Sequence, residues 1–147
     1  MSQYLIFKLV NKENPALKVD LGYWCTSIAR GISSNFNGIF NYTETGIKLN
    51  VETLRSYIEI LHDGIDDYKK NLHEVQDKKK ENLELLLKAQ TEVAINAIRT
   101  EINDIEYSIL DWKDDIETWE MVEDKLNFIL DILNDNEKDW ELVYRNS

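Results

Sequence analysis

The sequence predicts an α+β fold: a small antiparallel sheet formed by both termini plus a short helix, carrying a long antiparallel coiled-coil-like helical hairpin. Three observations predict it. The first fifty residues alternate short apolar runs with turn-forming residues. After Gly64 there is neither Gly nor Pro to residue 147, so nothing local breaks a helix. The last ten residues return to an alternating pattern with Trp140, Leu142 and Tyr144 on one side and Glu141, Val143 and Arg145 on the other.

"YLIFKLV" is apolar on both alternations and reads as a strand buried on both sides. "NKENP" is a turn, its Pro15 fixing φ. "ALKVDLG" alternates Leu17, Val19 and Leu21 and forms a second strand antiparallel to the first. A short helix over about 25–34 follows, with Ile28, Ala29 and Ile32, and stops in "SSNFNG". "GIFNYTETG" reads as a third short strand closed by Gly46. Asn50 is placed to cap the next helix, whose seam of Leu54, Ile58, Leu61, Ile65, Tyr68, Leu72 and Val75 steps by four and three.

A second seam runs through Ile102, Ile105, Ile109, Trp112, Ile116 and Trp119, and passes Val122 to Leu126, Leu130 and Leu133. Between the two, "QDKKKEN" puts Lys79 at an expected apolar position, and Leu83, Leu86, Leu87, Val93, Ala94, Ala97 and Ile98 resume the pattern. Two layouts fit: a hairpin of helices over 50–92 and 96–134, turning near 91–96, or three helices with a corner at "QDKKKEN". The hairpin is preferred. The chain is then one domain over 1–147, with a base of 1–49 and 138–147 and a helical arm over 50–134. Forty-residue helices would be about 60 Å long, and a seam of that length invites a homodimer or higher oligomer.

The net charge is −11, and its distribution is uneven. Residues 1–50 carry five basic and three acidic groups, whereas residues 101–141 carry fifteen acidic groups and three lysines. Such a field repels phosphate backbones and anionic lipids. Direct nucleic-acid or membrane binding is therefore not expected unless a local basic patch escapes it, and a basic protein partner is the better match. No apolar run approaches the roughly 18 residues of a membrane span, no signal peptide is recognisable, and a single Cys suits a reducing cytoplasm.

Leu21, Gly22, Tyr23 and Trp24 at the end of an N-terminal strand, "LNVETLRSYIEIL", "WEMVEDKLNFILDIL", and the closing Trp140, Tyr144 and Ser147 resemble a group of small accessory proteins of bacteriophage genomes. The likeness covers about half the chain. Cys25 and Thr26 stand where an Arg-Lys pair often follows the Trp, and residues 66–112 have no counterpart. The resemblance implies a phage or prophage origin; no activity comes with it.

Catalytic chemistry is poorly supplied. Cys25 would begin a helix, where a thiol pKa falls, but His62 and His73 lie on another helix, so Cys25 reads as a small buried spacer. In that reading "LGYWC" is a corner bent at Gly22, with Tyr23 and Trp24 packed where strand meets helix. His62 with Asp66, and His73 with Asp77, are i,i+4 pairs about 16 Å apart, too far for one metal ion. Asp135, Glu137, Asp139 and Glu141 alternate like a calcium loop but lack its Gly. No enzyme, metal or cofactor is expected.

The residues expected to carry function are Trp112, Asp114, Asp115, Glu117, Trp119 and Glu120, an acidic helix segment suited to a basic partner, in which the two tryptophans read first as core residues of the seam and, if exposed, as interface anchors. The reading is an inhibitor of a bacterial defence protein, a nuclease or other nucleic-acid-binding protein, that occupies its basic surface. One alternative is an oligomeric sponge for a nucleotide immune signal, using Trp24, Arg30, Lys48 and Arg55. Another is a virion or assembly component.

Overall fold

A computed structural model describes residues 4–36, 39–40 and 46–146. The element order is β1 (Tyr4–Asn11), β2 (Lys18–Cys25), α1 (Thr26–Asn35), β3 (Ile47–Leu49), α2 (Val51–Lys88), α3 (Glu92–Asn136) and β4 (Trp140–Asn146). The fold is α+β, with a four-stranded antiparallel sheet drawn from both termini in the order β2-β1-β4-β3. The chain divides into two compact units, residues 1–64 with 122–147, and residues 65–121.

In the first unit the sheet has one buried face. Leu5, Phe7 and Leu9 of β1, Trp24 of β2, Leu49 of β3, and Leu142 and Tyr144 of β4 are buried. They meet Ala29, Ile32, Phe36, Leu54, Leu61, Leu126, Ile129 and Leu133 from the helices and the two residues Ile39 and Phe40. Phe7 stands edge-on to Trp24 (5.2 Å) and to Phe40 (5.4 Å), and Phe40 edge-on to Tyr144 (5.3 Å).

The opposite alternation of β1 (Tyr4, Ile6, Lys8 and Val10) is only half-buried. The expectation of burial on both sides is therefore corrected: an antiparallel sheet needs only one covered face. The turn before β2 is held by Asn11, whose Oδ1 accepts from the N–H groups of Glu13 and Asn14. The expected third strand over 38–46 falls largely outside the described residues; Ile39 and Phe40 are in a turn, and the strand beside β4 is Ile47–Leu49. β4 pairs with β1 along its length, as its alternation implies.

Gly22 is not the corner. At φ 126° it sits in a bulge, where Phe7 pairs with Gly22 and Lys8 with Asp20, so Leu21 is the extra residue. The strand runs on to Cys25 and the helix begins one residue later. A Cβ on Gly22 would also press on Lys125, whose Nζ donates to the Tyr23 carbonyl (3.3 Å) and lies 5.2 Å from the Trp24 ring centroid.

Asn50 caps α2 as expected, its Oδ1 accepting from the Thr53 N–H at 2.7 Å. The connection between the long helices is Ala89–Thr91, a few residues before the expected tip. Thr91 starts α3: its hydroxyl accepts from the Ala94 N–H (3.2 Å) and its carbonyl from the Ile95 N–H (3.0 Å). The seam of the first unit passes through Val122, Leu126, Ile129 and Leu133, so Ile129 holds the central place assigned to Leu130, which is half-buried.

In the second unit the register set by Tyr68 and Val75 is kept through Lys79, Asn82, Leu86 and Ala89, all half-buried. Leu83, Leu87, Val93 and Ala97, expected to resume the seam, are exposed instead. A strict four-three spacing carries Lys79 and Asn82 inward and turns these residues out. Lys79 meets this by pairing with Glu106 (3.4 Å). Ile102, Ile105, Ile109, Ile116 and Trp119 are buried on α3.

Candidate functional site: an acidic face on α3

The acidic segment lies within the second unit. Asp111, Asp114, Asp115, Glu117 and Glu120 are all exposed. Asp111, Asp114 and Glu117 follow one another at i,i+3, about 4.5 Å of rise per step. They form a row of carboxylates whose only basic neighbour in sequence is Lys113. Glu120 is partly neutralised by Lys69 across the helix pair (3.1 Å). Asp115 has its carboxyl pushed above the usual range, first by partial burial and then by Asp111 and Asp114. Beside the row, like charge from Asp111 and Asp114 thus adds to the effect of burial on Asp115.

The two tryptophans do not supply surface anchors. Trp119 is 6% exposed. Trp112 is half-buried, with its ring edge-on to Tyr68 at a centroid distance of 5.3 Å. Both occupy seam positions on the side of α3 that faces α2, which is why they are inside. Burial raises the Tyr68 phenol pKa, Asp115 raises it further, and a hydrogen bond with Trp119 partly offsets both.

A different set of apolar groups shares the acidic face. Asn103, Tyr107, Leu110, Asp114, Glu117 and Met121 are exposed and step by four and three along α3. This second stripe lies opposite the buried one. Tyr107 is 71% exposed, Leu110 58% and Met121 57%. The sequence carried this signal as a second heptad-like spacing, hidden because a scan for core periodicity stops at the stronger seam.

The residues expected to hold a nucleotide do not converge. Trp24 is buried against Phe7 and beneath Lys125. Lys48 pairs with Glu141 (3.3 Å) and borders a depression with Lys12, Asn50 and Trp140. Arg55 borders a separate cleft with Ile58, His62, Glu123 and Leu130. Arg30 is exposed on α1 and borders neither.

Cys25 is exposed at the N-cap of α1, not a buried spacer. Ser27 Oγ lies 3.3 Å from its Sγ and lowers the thiol pKa, helped by the Ile28 backbone N–H. The two histidines have carboxylate partners: His62 Nδ1 meets Glu123 at 2.9 Å, and His73 Nε2 meets Asp77 at 3.5 Å. Among the described residues no three His, Cys, Asp or Glu side chains gather to hold a metal ion. Among them, too, no helix is long and apolar enough to cross a membrane.

No protein-family model matches the chain, and comparisons with curated proteins and with solved structures find no match.

Proposed function

We propose that this chain is a non-enzymatic binding protein, phage-encoded and acting in the bacterial cytosol. It inhibits a defence nuclease or another nucleic-acid-binding protein by occupying its basic surface. The observation that carries the reading is the outer face of α3, where Asp111, Asp114 and Glu117 stand exposed beside Tyr107, Leu110 and Met121. Carboxylates at regular rise offer a basic cleft the charge pattern of a phosphate backbone, and the apolar neighbours supply desolvated contact that a backbone lacks. Trp112 and Trp119 act indirectly, by fixing the helix pair that presents the face.

The test is a tagged-protein pull-down from nuclease-treated bacterial lysate, washed at low and high salt and read by mass spectrometry. A basic nucleic-acid-binding protein should be retained at low salt, be released at high salt, and be lost when Asp114, Asp115, Glu117 and Glu120 are changed together to Lys. Retention that survives the charge reversal, or an empty pull-down, would overturn the reading.

A further inference from the structure

The open face of the sheet carries the opposite charge to the rest of the molecule. Register places Ile6, Lys8 and Val10 of β1 beside Tyr23, Asp20 and Lys18 of β2 on one side, and beside Arg145, Val143 and Glu141 of β4 on the other. With Lys48, the described residues of this face hold four cations and two carboxylates in a chain whose net charge is −11. The carboxylates are engaged at its margins, Asp20 with Lys8 (3.4 Å) and Glu141 with Lys48 (3.3 Å).

Between them lies a depression of about 170 Å³ lined by Ile6, Lys8, Val10, Lys18, Val143 and Arg145: three cations on an aliphatic floor, with no acidic side chain among the described residues of its lining. Lys18, Lys8 and Arg145 fall on one straight diagonal across β2, β1 and β4, because they pair with or occupy positions 10, 8 and 6 of β1. Each step of that diagonal is about 8 Å between Cα atoms. A second depression adjoins the first through Ile6 and Lys8; it is lined also by Asp20, which pairs with Lys8, and by Tyr23, 62% exposed and held edge-on by Tyr4 at 5.4 Å.

We infer that this sheet face binds a short single-stranded oligonucleotide, with successive phosphates along the Lys18–Lys8–Arg145 diagonal and a base stacked on Tyr23. The argument rests on charge complementarity and shape. A row of cations about 16 Å long outreaches one phosphate group and follows a backbone. An exposed aromatic ring on an open antiparallel sheet offers a stacking platform for a base. The aliphatic floor also accepts a sugar or base edge at no cost in buried charge. The acidic remainder of the chain does not forbid binding, since at physiological salt the screening length is about 8 Å and the face acts on what touches it. This is the local basic patch that net charge alone conceals.

The test is fluorescence anisotropy of a labelled eight-nucleotide oligothymidylate titrated with the full chain. Three phosphate contacts on a single strand give a salt slope near −2, so affinity should fall about 18-fold between 50 and 200 mM salt. Lys18→Glu with Arg145→Glu should weaken binding at least tenfold, and Tyr23→Ala at least fivefold, with circular dichroism unchanged because all three side chains are exposed. A matched pair of the same charge change elsewhere, Lys70→Glu with Lys113→Glu, should shift affinity by less than twofold. The inference is overturned by absent binding at 50 mM salt, by equal losses in the two charge-reversed pairs, or by thymidine monophosphate competing as well as the octamer.

Discussion

The two units of this molecule reach stability by different routes. In residues 1–64 with 122–147, Leu5, Phe7, Ile32, Phe40, Leu54, Leu61, Leu126, Ile129 and Leu142 are all sealed from solvent, and they come from six separate stretches of chain. In residues 65–121 the buried set is Ile65, Ile102, Ile105, Ile109, Ile116 and Trp119, all but one from a single helix face, while Tyr68, Val75, Lys79 and Asn82 on α2 are only half-buried. The first unit has a core many side chains deep, and the second a seam one side chain wide. A seam leaves every buried group close to water, so the helix pair should open locally at a lower free energy than the sheet unit.

The largest effect expected follows from that contrast. Phe7→Ala removes the ring at the centre of the aromatic cluster, where the surroundings cannot collapse, and should cost about 3–5 kcal/mol in chemical denaturation. Ile105→Ala in the seam should cost about 2 kcal/mol, the low end for its type. Hydrogen exchange should show amides of 66–120 exchanging ahead of those in β1 and β4. Uniform protection across both units would break the comparison.

The same contrast explains what the sequence made legible. The helix pair was readable because its signal is local: a four-three spacing and no Gly or Pro after Gly64. The caps were only half visible. Asn50 announced itself before an apolar run, whereas Thr91 sits in "KAQTEVA", which looks like uninterrupted helix until the chain must turn. The exposure of Leu87 and Val93 was not legible, since apolar residues near a seam look like members of it unless the register is counted through Lys79 and Asn82. In the sheet unit, strand identity was readable but facing was not. The bulge at Gly22 shifts register within β2, and which face of β1 is covered depends on partners far along the chain. The candidate site shows the same limit. The carboxylates are legible from composition, but the sequence offers Trp119 both as a seam residue, by its spacing from Ile116 and Ile105, and as a partner contact, by its acidic neighbours, and only packing decides for the seam.

Gly64 supplies a middle-sized test at the edge of the sheet unit. It lies within α2, where Ala would ordinarily gain about 1 kcal/mol in helix propensity. A Cβ there would meet the ring of Phe36, itself 2% exposed and fixed in the core. Overpacking of this kind costs about 1–3 kcal/mol, so Gly64→Ala should lower the thermal midpoint despite the better helix former. A matched Ser108→Ala change, half-buried on α3 in the second unit, should raise or leave unchanged its own stability. A stabilised Gly64→Ala protein would show that Phe36 has room to move, and would blur the distinction between a locked core and an adaptable seam.

The smallest effect concerns charge in the second unit. Partial burial, then Asp111 and Asp114, raise the Asp115 pKa in the folded state. A carboxyl whose folded pKa lies above its unfolded value binds its proton more tightly when folded. It therefore favours folding at low pH, and that contribution is lost as pH rises through the raised value. At neutral pH the ionised Asp115 is a mild liability, reduced by solvent screening because the side chain is exposed. Asp115→Asn should accordingly stabilise the helix pair slightly at pH 7, and the gain should shrink toward zero as pH falls through the carboxylate range. Hydrogen exchange of the 105–120 amides at pH 7 and pH 4 would read it. An Asn variant that loses stability at pH 7 would mean that the carboxylate is held by a favourable contact, and that the acidic face is ordered by attraction rather than merely tolerated by a seam strong enough to hold like charges together.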